Sequence, residues 1–252
     1  MNIIFVGYLN EYERSYLRYK TLRRLGHNVV GISMTPVNWK LFYQRHSLWA
    51  RVRWKLSLPP DSTGANRKII ERVRKNQYDV VWIDKGLTIK PSTLRYIKEK
   101  LPRTKLVSCS EDDMYARHNQ TYYYRSGLPY YDVVFTTKIY NITELKTLGA
   151  KRPVLFLDSY DSALHRPVEL TEKDKKRFGC DVGFIGSFEE DRAQYMLYLA
   201  KHGVMVAVWG AGWKKWVNRH PNLIVKNHSL YGEDYVKAIN AIKKGVLSFC
   251  VT

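Results

Sequence analysis

The sequence predicts an α/β protein built from two parallel-sheet units in tandem. Short apolar strands alternate with helices along most of the 252 residues, as in sheets that helices cover on both faces. Residues 180–192 have the pattern of a buried strand, a glycine turn and a helix start, and they follow a charged stretch at 169–179. A second unit therefore begins where a first has closed, and we expect the units to span residues 1–168 and 169–252.

The elements are predicted from apolar runs bounded by turn residues and from apolar residues at helical spacing. In the first unit we expect strands at residues 3–6, 28–33, 78–83, 105–109, 132–136 and 154–157, and helices at 13–25, 66–75, 91–100 and 140–148. In the second unit we expect strands at residues 182–185, 204–209, 223–226 and 246–251, and helices at 192–202 and 233–243. Residues 169–179 lack an apolar period and are expected to link the units, in part as helix.

Residues 39–58 are both basic and aromatic. Their rings recur at three- and four-residue steps, which favours an amphipathic helix that packs on the sheet and exposes a basic face. The alternative is a surface that lies on a membrane or holds an acidic polymer.

The composition favours an anionic partner. Lys and Arg number 42 against 23 Asp and Glu, a formal net charge of +19, which suits nucleic acid, an acidic membrane surface or a phosphorylated substrate. The start of the chain lacks a signal-peptide pattern, and no apolar run approaches the ~20 residues of a membrane span. We expect a cytoplasmic protein that can also lie peripherally at the inner membrane face. Cys109, Cys180 and Cys250 lack metal-ligand spacing and are expected to be reduced core residues.

Polar residues follow the first predicted strand. Ligands of open α/β sheets bind beyond the carboxyl ends of the strands, so this segment is a candidate acceptor site. Its candidate residues are Tyr8, Asn10, Glu11 and Arg14. The segment lacks the full dinucleotide fingerprint, and a tight turn is the alternative.

Three carboxylates, Glu111, Asp112 and Asp113, follow the fourth predicted strand. Carboxylates grouped at a strand end can act as general bases, so Asp112 and Asp113 are candidate catalytic residues, and His118 is a rival. The alternative is a solvated turn in which Asp113 caps the following segment.

The second unit opens on Gly186 and Ser187, with Arg192 on the next helix. Glycines let the backbone approach a ligand, and Arg can hold a phosphate bidentately. Because acidic residues 189–191 crowd the helix start, we expect Arg192 to matter more than the bare helix end. A plain strand-to-helix turn is the alternative.

The next strand ends in Trp209, Gly210, Ala211, Gly212 and Trp213. These residues are predicted to form a wall of a nucleotide pocket, or else a turn whose Trp rings anchor in the core. The sequence contains no metal-ligand cluster, phosphate-binding P-loop or Gly-x-Ser-x-Gly motif.

These motifs together resemble the GT-B glycosyltransferases, and within them the bacterial spore-maturation (CgeB-like) group. The resemblance rests on Asp181-Val-Gly-Phe-Ile-Gly-Ser187 with Arg192, on Trp209-Gly-Ala-Gly-Trp213, and on Leu157-Asp-Ser-Tyr-Asp-Ser-Ala-Leu-His-Arg-Pro167. It covers most of the chain through short motifs. It implies two Rossmann-like domains, the first for the acceptor and the second for a nucleotide-sugar donor.

By this resemblance the donor phosphates face Gly186, Ser187 and Arg192, and the loop at Lys226 approaches the base. No metal cofactor is implied, because basic side chains and helix ends take the leaving-group charge. If the enzyme inverts the sugar, a base from Asp112, Asp113 or His118 deprotonates the acceptor; a retaining enzyme does not need one.

The sequence departs from the family at its end. Members continue past the last predicted strand into a segment that binds the donor ribose and diphosphate, so the second domain is expected to be incomplete here. The chain is then inactive as it stands, or a partner chain completes the domain. The alternative function is a basic nucleic-acid-binding or partner-docking module without catalysis.

Overall fold

The computed structural model describes residues 1–11, 13–35 and 48–245. The chain divides into two units, Met1–Ser159 and Tyr160–Thr252, each with its own parallel sheet and apolar core. The predicted α/β fold class with two parallel sheets is confirmed. The predicted boundary, after residue 168, lies inside the second of these units.

In the described part of the first unit, a six-stranded parallel sheet has the order β2-β1-β3-β4-β5-β6. Its strands are β1 (Asn2–Gly7), β2 (Asn28–Ser33), β3 (Val80–Asp84), β4 (Lys105–Ser110), β5 (Val133–Thr136) and β6 (Pro153–Leu155). The strand order reverses between β1 and β3. Such a switch point opens a crevice at the carboxyl ends of the two strands, where ligands of these folds bind.

Helices cover both faces of this sheet. The described part of this unit contains the helices α1 (Arg14–Arg24), α2 (Leu48–Lys55), α3 (Ala65–Lys75), α4 (Pro91–Lys100), α5 (Tyr122–Gly127) and α6 (Asn141–Thr147). Alternate residues of β1 serve the two faces: Ile4 and Val6 join the core that contains α3 and α4, and Ile3 and Phe5 join the core beneath α1. The burial of both faces therefore explains why residues 3–6 of β1 are all apolar.

In the second unit, the described residues form a four-stranded parallel sheet in the order β10-β7-β8-β9. Its strands are β7 (Cys180–Ile185), β8 (Val206–Trp209), β9 (Leu223–Val225) and β10 (Ile242–Gly245), and its helices are α7 (Glu172–Phe178), α8 (Glu190–Lys201) and α9 (Gly232–Ala241). Helix α8 packs on one face and helices α7 and α9 on the other. This sheet also has a switch point, between β7 and β10.

Residues 169–179, expected mainly as a link, contain helix α7. The Thr171 side chain accepts from the Asp174 N–H at 3.1 Å, and the Asp174 side chain accepts from the Thr171 N–H, which is a capping box. Acidic residues in the first turn and basic residues in the last complement the helix dipole. Local capping, together with the buried ring of Phe178, therefore forms a helix without a long apolar period.

Two further elements differ from the prediction. The last helix ends at Ala241 rather than at residue 243, and β10 follows at once; the strand expected at 246–251 lies outside the described residues. Helix α5 was not expected, because its sequence is largely tyrosine. Of the basic, aromatic segment 39–58 the structure describes residues 48–58, which contain α2.

The turns after β7 and β8 approach each other closely at Gly186 and Gly210, so a side chain at Gly210 should destabilise the fold. Gly210 has a φ of 152°, and a Cβ there would collide with the Gly186 carbonyl oxygen. We expect Gly210→Ala to lower the free energy of unfolding by about 2–4 kcal/mol. Gly203→Ala is the control: φ is 84° but no atom lies within 4 Å of the added Cβ, so about 1–2 kcal/mol of strain is expected. Equal losses in urea denaturation would contradict the clash.

Candidate functional site

A cavity of about 430 Å³ lies in the first unit, at the carboxyl ends of β1, β3 and β4. This is the edge at which the strand order reverses. Its lining includes the carboxylates Glu13, Asp84, Glu111 and Asp112 and the cations Arg14, Arg18 and Lys85. The cavity is therefore a charged crevice with both signs present, which suits a polar ligand rather than an apolar one.

Arg18 joins three elements of this site. Its Nη1 donates to the Asp84 carboxylate at the end of β3, and its Nη2 donates to Glu111 Oε1, just after β4, at 2.8 Å. The Trp82 indole N–H donates to the other oxygen of Asp84 at 2.6 Å. Burial raises the pKa of Asp84 above its ordinary value, and the charge of Arg18 opposes that rise. The pair thus holds a buried carboxylate, 3% exposed, against helix α1.

Arg14 lies one helical turn before Arg18 and extends the same network. Its Nη1 donates to Glu111 Oε2 at 2.8 Å and to Asp158 Oδ1 at 3.4 Å. Glu111 therefore bridges two arginines of α1, one with each carboxylate oxygen. The Arg14 side chain is 66% exposed, so its guanidinium can also meet a ligand from solvent.

Lys85 carries backbone strain at the edge of the cavity. Its φ of 42° is left-handed, a conformation that costs a residue with a side chain about 1–2 kcal/mol. Its N–H donates to the Cys109 carbonyl at 2.8 Å, and its ammonium pairs with Asp112. Strained residues of this kind concentrate at functional sites. The turn places Lys85 and Asp112 beside each other in the cavity lining.

The predicted acceptor residues divide between the cavity and its surroundings. Tyr8 and Arg14 line the cavity, and burial, followed by the charges of Glu13 and Asp112, raises the pKa of Tyr8 to about 12. Asn10 and Glu11 are not among the lining residues: the Asn10 amide donates to Thr35 Oγ1 at 2.9 Å, and Glu11 is exposed.

The three predicted catalytic residues also separate. Asp112 lines the cavity, whereas Asp113 and His118 are not among the lining residues. Asp113 Oδ1 accepts from the N–H groups of Tyr115 and Ala116 and from the Asn141 amide, at 2.8–3.2 Å. Although partial burial acts the other way, these hydrogen bonds lower the pKa of Asp113. Asp113 therefore has the geometry of the capping role that was the alternative, and His118 is exposed.

The residues predicted for this site did not include Arg18, Asp84, Lys85 or Cys109. Asp84 and Lys85 directly follow the third predicted strand, and Arg18 lies one turn after Arg14, so strand ends combined with helical spacing were the available signals. Cys109 borders the cavity, but burial, followed by the charge of Asp84, raises the pKa of its thiol. It is therefore held as a thiol rather than as a nucleophilic thiolate.

In the second unit, the turns after β7 and β8 are bonded to each other. The Gly186 N–H donates to the Trp209 carbonyl at 2.8 Å, and the Phe188 N–H donates to the Ala211 carbonyl at 2.9 Å. The Trp213 indole N–H donates to the Gly186 carbonyl at 3.0 Å. Gly186, Ser187, Gly210 and Gly212 thus form one structure, which we call the paired glycine turns. Ser187 and Gly212 are its exposed members.

The other predicted donor residues lie at different depths. Trp209 is 1% exposed and packs in the core, so its ring has the anchoring role that was the alternative. Arg192 pairs with Glu189 at 2.9 Å, lies 5.5 Å from the Phe184 ring and is 18% exposed. Lys226 is exposed at the end of β9. The glycines and Arg192 come together around β7, whereas Lys226 lies two strands away in the sheet.

Cys109 and Cys180 are free and buried, as expected, and Cys250 lies outside the described residues. Within the described ranges, no helix has the length and apolar character needed to cross a membrane. The same ranges contain no group of three or more His, Cys, Asp or Glu placed to hold a metal ion.

The two units carry the Rossmann-like parallel sheets of the GT-B fold, and the second is the smaller. No protein-family model matches the chain, and no curated protein matches its sequence. The likeness to known proteins is therefore a likeness of fold.

Solved structures similar to this chain include the UDP-GlcNAc 2-epimerase from Methanocaldococcus jannaschii, with a TM-score of 0.58 and 8% identity over 94% of this chain and 76% of that one. An alpha-glucosyltransferase in complex with UDP has a TM-score of 0.53 and 10% identity over 97% and 72%. The same kind of enzyme with UDP and a 13-mer DNA has a TM-score of 0.54 and 11% identity over 97% and 69%. The spore-maturation group stays a prediction.

The capping role of Asp113 predicts how stability depends on pH. The pKa of Asp113 is lower in the folded chain than its ordinary 3.8, so its contribution is present above that pH and is lost as pH falls through the folded value. We expect Asp113→Asn to lower the free energy of unfolding at neutral pH by no more than about 1 kcal/mol, since the site is partly solvated. In urea titrations the gap from the unaltered chain should close in acid; a gap that does not change with pH would contradict the assignment.

Proposed function

We propose that this protein is a glycosyltransferase that moves a sugar from a nucleotide-diphosphate donor to an acceptor hydroxyl. The observation that carries the proposal is the switch-point cavity of the first unit, where a carboxylate, Asp112, lies with Tyr8 and Arg14. The GT-B fold supports it, because similar solved structures include glycosyltransferases bound to UDP. The first unit would bind the acceptor and the second the donor.

In the proposed inverting reaction, the Asp112 carboxylate takes the proton of the acceptor hydroxyl. The acceptor oxygen forms a bond to the anomeric carbon while the bond from that carbon to the diphosphate oxygen breaks, and the nucleoside diphosphate leaves with the electron pair. Lys85, paired with Asp112, holds the base in position. Asp112 is preferred to Asp113 and His118 because it lines the cavity.

The donor site is proposed at the paired glycine turns. Gly186, Ser187, Gly210 and Gly212 would let the diphosphate approach the backbone, and Arg192 would turn from Glu189 to the phosphates. Lys226 is proposed to contact the base. We propose no metal cofactor, since an arginine and backbone N–H groups can take the leaving-group charge.

The acceptor is proposed to be anionic or membrane-associated, on the strength of the +19 charge. Nucleic acid belongs to this class, and a similar solved glucosyltransferase is in complex with a 13-mer DNA. We also propose that the protein acts in the cytoplasm.

A second candidate is epimerisation of a nucleotide sugar. The cavity offers Glu13, whose pKa is raised by burial against the opposing charge of Lys85, so that it keeps a proton longer than an ordinary carboxyl. A proton-holding acid near a carboxylate base is the arrangement that proton transfer at carbon needs. The products separate the candidates: transfer releases a nucleoside diphosphate and glycosylates an acceptor, whereas epimerisation yields an isomeric nucleotide sugar.

Donor binding is tested by calorimetric titration with UDP, GDP, dTDP and their sugar conjugates. We expect saturable binding of one diphosphate, weakened about ten- to a hundredfold by Arg192→Ala, which removes a charge-assisted contact. Arg177→Ala is the matched control, because Arg177 is also paired with a carboxylate, Asp234, in the same unit but outside the paired glycine turns. No binding by the unaltered chain, or an equal loss in both variants, would rule out this donor site.

The role of Asp112 as the general base is tested by substituting it and comparing the result with substitutions of Asp113 and His118. With the donor and acceptor identified, we expect Asp112→Asn to slow nucleoside diphosphate release about 10²- to 10⁴-fold, the usual contribution of a general base. Asp113→Asn and His118→Gln should stay within a few-fold of the unaltered rate, since neither side chain reaches the cavity. An Asp112→Asn variant with full activity would refute the role assigned to Asp112.

A further inference from the structure

Helix α2 presents apolar side chains to solvent. Leu48 is 77% exposed, Trp49 61%, Val52 48% and Leu56, just after the helix, 64%. Among the residues of α2, all of them described, Ala50 alone is buried. The expected packing of an apolar face on the sheet is therefore not found in α2.

The exposed residues form one stripe. Leu48, Val52 and Leu56 are four residues apart, so they follow one side of the helix, and Trp49 lies next to them. The Leu56 N–H donates to the Val52 carbonyl at 3.0 Å, which continues the helical spacing to Leu56. We call Leu48, Trp49, Val52 and Leu56 the α2 stripe. It is a continuous apolar surface rather than scattered exposed residues.

The stripe is held in place by contacts behind it. The Arg53 guanidinium donates to the Leu58 carbonyl at 2.8 Å and to the Tyr123 hydroxyl at 3.0 Å, and it lies 4.9 Å from the Trp49 ring. The Tyr122 N–H donates to the Ser57 carbonyl at 2.8 Å. Arg53 thus ties the end of α2 to helix α5 and positions Trp49. The apolar surface is preorganised.

Basic residues flank the stripe without acidic neighbours in sequence. Arg51 and Lys55 are exposed on one side of it, and Arg53 lies on the other, against Trp49. No Asp or Glu occurs between Glu13 and Asp61 in the sequence. The charged residues of this stretch of sequence are therefore all basic, which complements an anionic surface.

We propose that the α2 stripe docks on an anionic phospholipid surface. Leu48, Val52 and Leu56 enter the boundary of the acyl chains, Trp49 lies at the level of the headgroups, and Arg51 and Lys55 contact the anionic headgroups. Nucleic acid fits less well, because phosphates and bases engage cations and aromatic rings but leave a row of aliphatic side chains in water. The proposal is independent of the proposed sugar transfer.

The test is co-sedimentation of the full chain with phosphatidylcholine vesicles and with vesicles of equal parts phosphatidylcholine and phosphatidylglycerol. We expect binding to the mixed vesicles and little to phosphatidylcholine alone. Leu48→Gln with Leu56→Gln should weaken binding at least about tenfold, through lost apolar insertion. Arg51→Gln with Lys55→Gln should weaken it by up to about thirtyfold at low salt, through lost attraction to the headgroups.

Matched controls lie elsewhere on the first unit. Leu25→Gln with Ile139→Gln removes two leucine-sized side chains that are 66% and 68% exposed, and Lys100→Gln with Lys151→Gln removes two exposed cations. Both controls should bind as the unaltered chain does. All altered side chains are on the surface, and thermal unfolding of each variant verifies that it is folded.

Three results would overturn the proposal. The first is absence of binding to the mixed vesicles. The second is an equal weakening of vesicle binding in the stripe variants and in their controls. That result would show that binding depends on the net charge of the protein rather than on the α2 stripe. The third is binding that needs Arg51 and Lys55 but not Leu48 and Leu56, together with tighter binding to single-stranded DNA, which would assign the surface to nucleic acid.

Discussion

The buried pair of Arg18 and Asp84 is the interaction on which the candidate site depends. A carboxylate as buried as Asp84 is tolerable only beside a cation and hydrogen-bond donors, and removing one partner of such a pair typically costs about 3–5 kcal/mol. Trp82 supplies one donor, and its ring stacks between Phe5 and Phe135, so the direction of its N–H is fixed by the sheet. Packing of the strands thereby sets where Arg18 must lie.

The rest of the cavity follows from that placement. Once Arg18 is fixed, its second nitrogen draws Glu111 towards α1, and Arg14 binds the remaining oxygen of Glu111. Arg14, Arg18, Asp84 and Glu111 thus largely neutralise one another. Asp112, 45% exposed and paired with a strained Lys85, is left facing the cavity. A carboxylate with a single ion-pair partner among the described residues is the group in this cluster that a ligand can engage at least cost.

How far the sequence predicts this site depends on the range of the forces involved. Strands β1 to β6 follow from local apolar patterns, and the switch-point rule then indicates which loops carry polar ligands, so Tyr8, Arg14 and Asp112 were predictable. The Arg18–Asp84 pair joins residues 66 positions apart, and no local pattern contains it. For Trp209 a local pattern was present but ambiguous. A ring beside two glycines has the same sequence pattern whether it lines a pocket or fills a core. Helix α7 shows that capping, together with one buried ring, can specify a short helix.

The surfaces at the carboxyl ends of the strands are built from different groups in the two units. In the first, long side chains converge through charge pairs, so its cavity can respond to pH and to charged ligands. In the second, the backbones of the paired glycine turns bond directly to each other, and Gly210 admits no side chain without a collision. A surface built from backbone keeps a fixed shape, and its glycines let a ligand such as the proposed diphosphate approach it closely. A surface built from paired side chains can instead exchange partners, which suits a hydroxyl that must lose its proton.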